Sequence, residues 1–140
     1  MTRLKPHLKR SLIADARSSA KPLLADMPTN LWAFNFKYLD TTQGQTFDDW
    51  HGAGLLVRLL EHMRHYSQVP CSNALNDGKF TSYECFPVNS QFRHPNNVPE
   101  DAVWARIKIQ NLPRFCGHIY KGVFYAVFLD KDHQFCPTED

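Results

Sequence analysis

At 140 residues, with 43% hydrophobic and 21% charged, the chain has the commonest size of a single domain, and its composition excludes a disordered or fibrous protein. Its longest apolar stretches, Gly54 to Leu60 and Gly122 to Leu129, fall far short of the roughly 20 residues that cross a bilayer. The first twenty residues lack the apolar core of a signal peptide, so a cytoplasmic protein with no membrane segment is expected. The net charge of +2 is small but uneven. Arg3, Lys5, Lys9, Arg10, Arg17 and Lys21 face one early acid, Asp15, while acids gather in residues 40–49 and again after residue 129.

In chain order, residues 4–25 read as a basic helix, with Leu8, Leu12, Ile13 and Ala16 near helical spacing and Pro22 and Pro28 closing it. Leu31 to Leu39 alternates strictly, with Trp32, Phe34, Phe36 and Tyr38 on one side, which predicts a strand with a buried aromatic face. If that strand lies at a sheet edge, its unpaired backbone favours a homodimer. Asp40 to Gln45 forms a turn at Gly44, and Thr46 with Asp49 has the form of a capping box. The following pattern predicts one amphipathic helix over residues 48–67, its stripe formed by Trp50, Ala53, Val57, Leu60 and Met63 and widened by Leu56 and Leu59. Residues 69–101 read as a long polar loop, with a short edge strand near Tyr83 to Val88.

Three strands then close the chain as an antiparallel meander: Val103 to Gln110, Phe115 to Tyr120 and Gly122 to Leu129. Asn111-Leu112-Pro113 supplies the first turn and Lys121-Gly122 a tight second one. The last strand, apolar at almost every position, is expected at the sheet centre. The fold class is therefore α+β: an N-terminal helix, one aromatic strand, one amphipathic helix and a three-stranded meander, with no linker or repeat to divide residues 1–140.

No phosphate-binding Gly loop, nucleophile elbow or paired Cys-x-x-Cys cluster occurs, which moves nucleotide hydrolysis, serine-hydrolase chemistry and zinc ribbons out of the front rank. Cys71, Cys85, Cys116 and Cys136 are widely spaced, and reduced thiols are expected. His62 and His65 share a helix face and with Cys71 or Cys85 match a zinc donor set, though two solvated histidines explain them more simply, so no metal or other cofactor is expected.

Asp130 and His133 directly follow the buried strand and suit an oriented acid/base pair, or else a charged turn that ends the sheet. Arg93-His94 forms a polar cluster in the long loop. Alternation places Trp104, Arg106 and Lys108 on one face, a basic aromatic surface suited to single-stranded RNA. The alternative buries Trp104 in the core while the cations reach solvent. RNA cleavage without a metal requires a base for the 2′-hydroxyl, a cation for the phosphorane charge and an acid for the leaving oxygen. His118, His133, Arg106, Arg114, Tyr120 and Tyr125 have suitable chemistry for those roles.

Phe34-Asn35-Phe36-Lys37-Tyr38, the helix end Arg64-His65-Tyr66-Ser67 and the closing string from Phe124 to His133 resemble a group of small bacterial proteins of unassigned function. The Arg-bearing strand, Arg114-Phe115-Cys116-Gly117 and Phe124 to Asp130 are also similar to the closing strands of RelE/ParE-type toxins. That second resemblance implies a ribosome-dependent mRNA nuclease or a gyrase inhibitor held inactive by a partner antitoxin, and with the basic sheet face the expectation is an RNA-acting toxin or phage-defence effector. On it, Arg106, Lys108 and Arg114 correspond to basic sheet residues, and His118, Tyr120 or His133 to proton-transfer groups. The chain departs from such toxins in its length, its weak net charge, its strand before the main helix and its long loop. The competing class is a non-catalytic binding module, an inhibitor or accessory subunit, that contacts a partner through the long loop and acidic tail.

Overall fold

The computed structural model describes residues 30–72 and 78–138, so the basic helix expected over residues 4–25 lies outside the described residues. Five strands form one sheet: β1 (Ala33–Asn35), β2 (Phe80–Tyr83), β3 (Val103–Lys108), β4 (Arg114–Tyr120) and β5 (Val123–Asp130). Their spatial order is β1-β5-β4-β3-β2, with β1 parallel to β5 and every other pair antiparallel. Among the described residues, two helices, α1 (Phe47–Gly52) and α2 (Leu56–Tyr66), accompany the sheet in an α+β architecture. Among the described residues, no helix is long and apolar enough to cross a membrane.

The meander forms because its turns match the twist of the strands. Lys121 and Gly122 both adopt positive φ, 49° and 78°, the backbone of a tight hairpin turn that glycine takes without a Cβ clash. At the other turn, Arg114 Nη1 donates to the carbonyls of Asn111 and Leu112 at 2.9 and 3.1 Å. The β4–β5 register shifts between Cys116 and Gly117. A side chain at Gly117 would collide with the Tyr125 carbonyl, so glycine is required where the bulge brings the two backbones together.

The helices cover one face. Trp50, Leu55, Leu59 and Tyr66 pack with Trp32, Phe80, Ala105, Ile107, Phe115, Phe124, Ala126 and Leu129 in a continuous core. Burying a side chain such as Leu59 stabilises the fold by about 1.5–3 kcal/mol. Thr46 and Asp49 form the expected capping box: the Thr46 hydroxyl accepts from Asp49 N and the Asp49 carboxylate from Thr46 N.

The single expected helix is in fact two. Gly54 at φ 74° cannot continue helical geometry, and Leu55 N instead donates to Trp50 O at 2.8 Å. The break resets the helical phase. The buried stripe becomes Leu55, Leu59 and Tyr66, flanked by Leu56 and Met63, whereas Val57 and Leu60, expected inside, are 67% and 53% exposed.

The aromatic strand is also shorter than its alternation suggests. The Asn35 side chain accepts from Lys37 N at 2.7 Å and turns the chain after three strand residues. Trp32 and Phe34 therefore join the helix-side core, while Tyr38 crosses to the opposite face. β4, rather than β5, is the middle strand, because β1 adds outside β5. The expected edge strand near Tyr83 to Val88 lies earlier, at Phe80–Tyr83.

The second face is covered by irregular chain. Phe86, Phe92, Val98, Phe135 and Cys136, from residues 84–102 and 131–138, pack on Trp104, Cys116, Val127 and Phe128. Phe92 stacks on Phe128 with centroids 4.4 Å apart, and Phe86 meets Trp104 edge-on at 5.0 Å. The long polar segment thus contains an aromatic strap that substitutes for a second helical layer.

Candidate functional site

Cross-strand pairing aligns Trp104 with His118 and His118 with Tyr125 on the strap-covered face. His118 and Tyr125 stack at 5.0 Å with an interplanar angle of 15°, and Tyr38 sits edge-on to both rings at 5.1 and 5.6 Å. Together with Tyr120, Asp101, Pro99 and Val103 these residues line a cleft of about 540 Å³. A second cleft of about 430 Å³, lined by Asp40, Gln43, Arg93, His94 and Asn97, adjoins it and shares Tyr38.

His118 is only 5% exposed, and its Nε2 is buried without a hydrogen-bond partner. Burial, reinforced by nearby His94, holds its pKa below the ordinary histidine value. The imidazole is therefore neutral at pH 7 and able to accept a proton. His94 Nδ1 donates to Pro95 O at 2.9 Å and lies 3.5 Å from a Glu100 oxygen, an arrangement that fixes the ring and leaves its Nε2 unpartnered. The rings of His94 and His118 lie 5.5 and 6.0 Å from that of Trp104. Tyr120, which lines the cleft, is 61% exposed, and the Lys121 ammonium lies 5.3 Å from its ring centre.

The remaining candidates are distributed elsewhere. Trp104 is fully buried, so its ring is a core element and presents no stacking face at the surface. Arg106, 5% exposed, donates to Lys79 O at 2.7 Å and to Gly78 O at 3.3 Å, clamping the chain that enters β2. Arg114, 2% exposed, is directed at the carbonyls of the β3–β4 turn. Lys108 pairs in register with Arg114 and Arg114 with Asp130, at the sheet end away from His118. His118 lies four positions after Arg114 in β4, about 13 Å along an extended strand.

His133 lies beyond Asp130 at φ 60°, in the turn that leaves β5. The fully buried Asp130 carboxylate accepts from Gln134 N and Phe135 N, both at 2.8 Å, and so closes that turn. Burial raises its pKa, while the two N–H donors and His133 oppose the rise. Among the described residues, no group of three or more His, Cys, Asp or Glu is placed to hold a metal ion.

No family model matches the chain, and no curated protein or solved structure matches it either. A neutral buried imidazole among phenols suits proton transfer to a group bound in the cleft; exposed Arg93 lines the neighbouring cleft that shares Tyr38, and exposed Lys121 lies beside Tyr120.

The sequence singled out His118, Tyr120, Arg93 and His94, and the structure gathers them around the two clefts. It does not bring His133, Arg106, Arg114 or Lys108 to that place. Tyr38 and Asp101 were not recognisable as site residues. For Tyr38 the available signal was Asn35 two residues before Lys37, the side chain that ends the strand and redirects the ring.

Proposed function

We propose that this chain acts on RNA, as a toxin or phage-defence effector whose His118 transfers protons in endonucleolytic cleavage, under control of a partner antitoxin. The observation that carries the reading is the buried, neutral His118, its Nε2 unpartnered, in a tyrosine-walled cleft large enough for a nucleotide. In this reading His118 accepts the 2′-hydroxyl proton, Tyr120 lies within the same cleft as a proton donor, and Lys121 and Arg93 meet phosphate charge. The resemblance of the closing strands to RelE/ParE-type toxins supports the substrate class.

Induced bacterial expression tests it, with wild type beside His118→Asn and His133→Ala, scoring growth and total RNA. Growth arrest with RNA loss in wild type and His133→Ala but not in a folded His118→Asn variant supports the assignment. Normal growth with intact RNA in every strain removes it.

One observation favours a non-catalytic binding module instead. Arg106 and Arg114, the cations best suited by sequence to a phosphorane, are both buried and donate to backbone carbonyls. Copurification of a stoichiometric protein partner, with His118→Asn behaving as wild type, would select that reading.

A further inference from the structure

The cleft of about 540 Å³ has tyrosine walls, and besides His118 the one acidic or basic side chain lining it is Asp101. Asp101 and Tyr120 are both exposed, so a carboxylate and a phenol ring are open to an incoming ligand. The His118 imidazole is held neutral by burial and does not oppose positive charge. No lysine or arginine lines the cleft to meet an anion, whereas the Asp101 carboxylate and the phenol oxygens accept hydrogen bonds. Phenol rings also attract cations through the negative face of the ring. Lys37 and Lys121 lie 5.3 Å from the ring centres of Tyr38 and Tyr120, yet neither lysine lines the cleft. Tyr120 borders two clefts, and Lys121 lines the other one, with Trp32 and Cys71. Acceptors, aromatic rings and a single negative charge describe a receptor for an organic cation.

We propose that this cleft binds a guanidinium group, carried by a small molecule or by an arginine side chain of a polypeptide, with Asp101 accepting from its N–H donors and Tyr120 against its plane. A guanidinium suits the site better than an ammonium, because it is flat, weakly hydrated, stacks on aromatic rings and matches a carboxylate with two parallel hydrogen bonds. Pro99 and Val103 supply apolar wall for the alkyl stem. The RNA reading assigns phosphate to Arg93 and Lys121, neither of which lines this cleft, so the guanidinium site goes beyond that reading and does not rest on it.

The experiment is an amide chemical-shift titration of the full chain with three probes: agmatine, a capped glycyl-arginyl-glycine tripeptide, and the same tripeptide with citrulline, whose urea group keeps the shape without the charge. Wild type is compared with Asp101→Asn and Tyr120→Leu, both at exposed positions where substitution spares the core. In wild type, agmatine or the arginine tripeptide is expected to shift amides within residues 99–103 and 118–125 saturably. The citrulline tripeptide should bind about fivefold or more weakly, and each variant should weaken the charged probes by a similar factor. Tighter binding of agmatine identifies a small-molecule ligand, and tighter binding of the tripeptide identifies a polypeptide. Equal binding of arginine and citrulline tripeptides, or unchanged affinity in Asp101→Asn, overturns the proposal, as does the absence of shifts with both charged probes. RNA loss in the expression test without cation binding leaves the nuclease reading and removes this site; cation binding with intact cellular RNA does the reverse.

Discussion

The two faces of this sheet are buried by different means. On one, α1 and α2 satisfy their own backbones and contribute regular apolar rows to a core containing Trp50, Leu59, Phe115 and Phe124. On the other, residues 84–102 and 131–138 pack through aromatic side chains and are held by scattered hydrogen bonds, among them Gln91 N to Gln134 O, Gln43 with the Arg93 backbone, Lys131 N to Gln45, and Gln134 N and Phe135 N to Asp130. Each cover leaves clefts: one of about 470 Å³ beside α2, lined by Glu61, His62, His65, Tyr66 and Lys79, and the two described above beside the strap. Both tyrosine-rich and Arg93-bearing clefts border the strap, and so does the buried imidazole. The difference teaches that one sheet can be buried by regular helices on one side and by irregular aromatic chain on the other, and the proposed site lies on the irregular side.

The largest expected effect lies on the helix face. Phe115→Ala, removing a fully buried ring, lowers global stability by about 3–5 kcal/mol in urea denaturation, whereas Phe86→Ala chiefly accelerates amide exchange within residues 84–102. Equal amide protection of strap and β5 would break the comparison. Next is Gly117→Ala, whose Cβ meets the Tyr125 carbonyl and lies 2.9 Å from its carbon and 3.0 Å from Ala126 Cα. A cost of about 3 kcal/mol or more is expected, and less than 1 kcal/mol means the bulge relaxes without strain.

A pH titration separates the faces more finely. The folded-state pKa of His118 is depressed, so the stability it contributes is complete above the unfolded value near 6.5 and is lost as pH falls through the folded value. Between those two values the loss approaches about 1.4 kcal/mol per pH unit. His118→Gln removes it, and an unchanged pH profile in that variant refutes the assignment. Asp130 runs the opposite way: its raised pKa favours the protonated carboxyl in the fold, so its contribution is complete below 3.8 and declines as pH rises through the folded value. The smallest effect belongs to the outer side of α2. Leu60→Ser, at a 53% exposed position, is expected within 0.5 kcal/mol of wild type, and a loss above 1.5 kcal/mol would reveal a contact on that side.

Local chemistry made much of this structure legible. The capping box at Thr46 and Asp49, the positive-φ turn at Lys121 and Gly122 and the meander itself depend on neighbours in sequence, and they stand where residue type and spacing place them. The α+β class followed from the same signals. Three features were decided only in three dimensions. The helical phase was reset by a glycine whose backbone sign no periodicity reveals, so Val57 and Leu60 face outward. The fate of Trp104, Arg106 and Arg114 depended on residues far away in sequence that cover their face: alternation put Trp104 and Arg106 on one side, and the aromatic strap made that side an interior. The cleft itself joins Tyr38, Asp101, His118 and Tyr125 from four separate stretches of chain. Periodicity reports which side of a strand a residue occupies, and only packing between distant segments determines whether that side meets water, core or ligand.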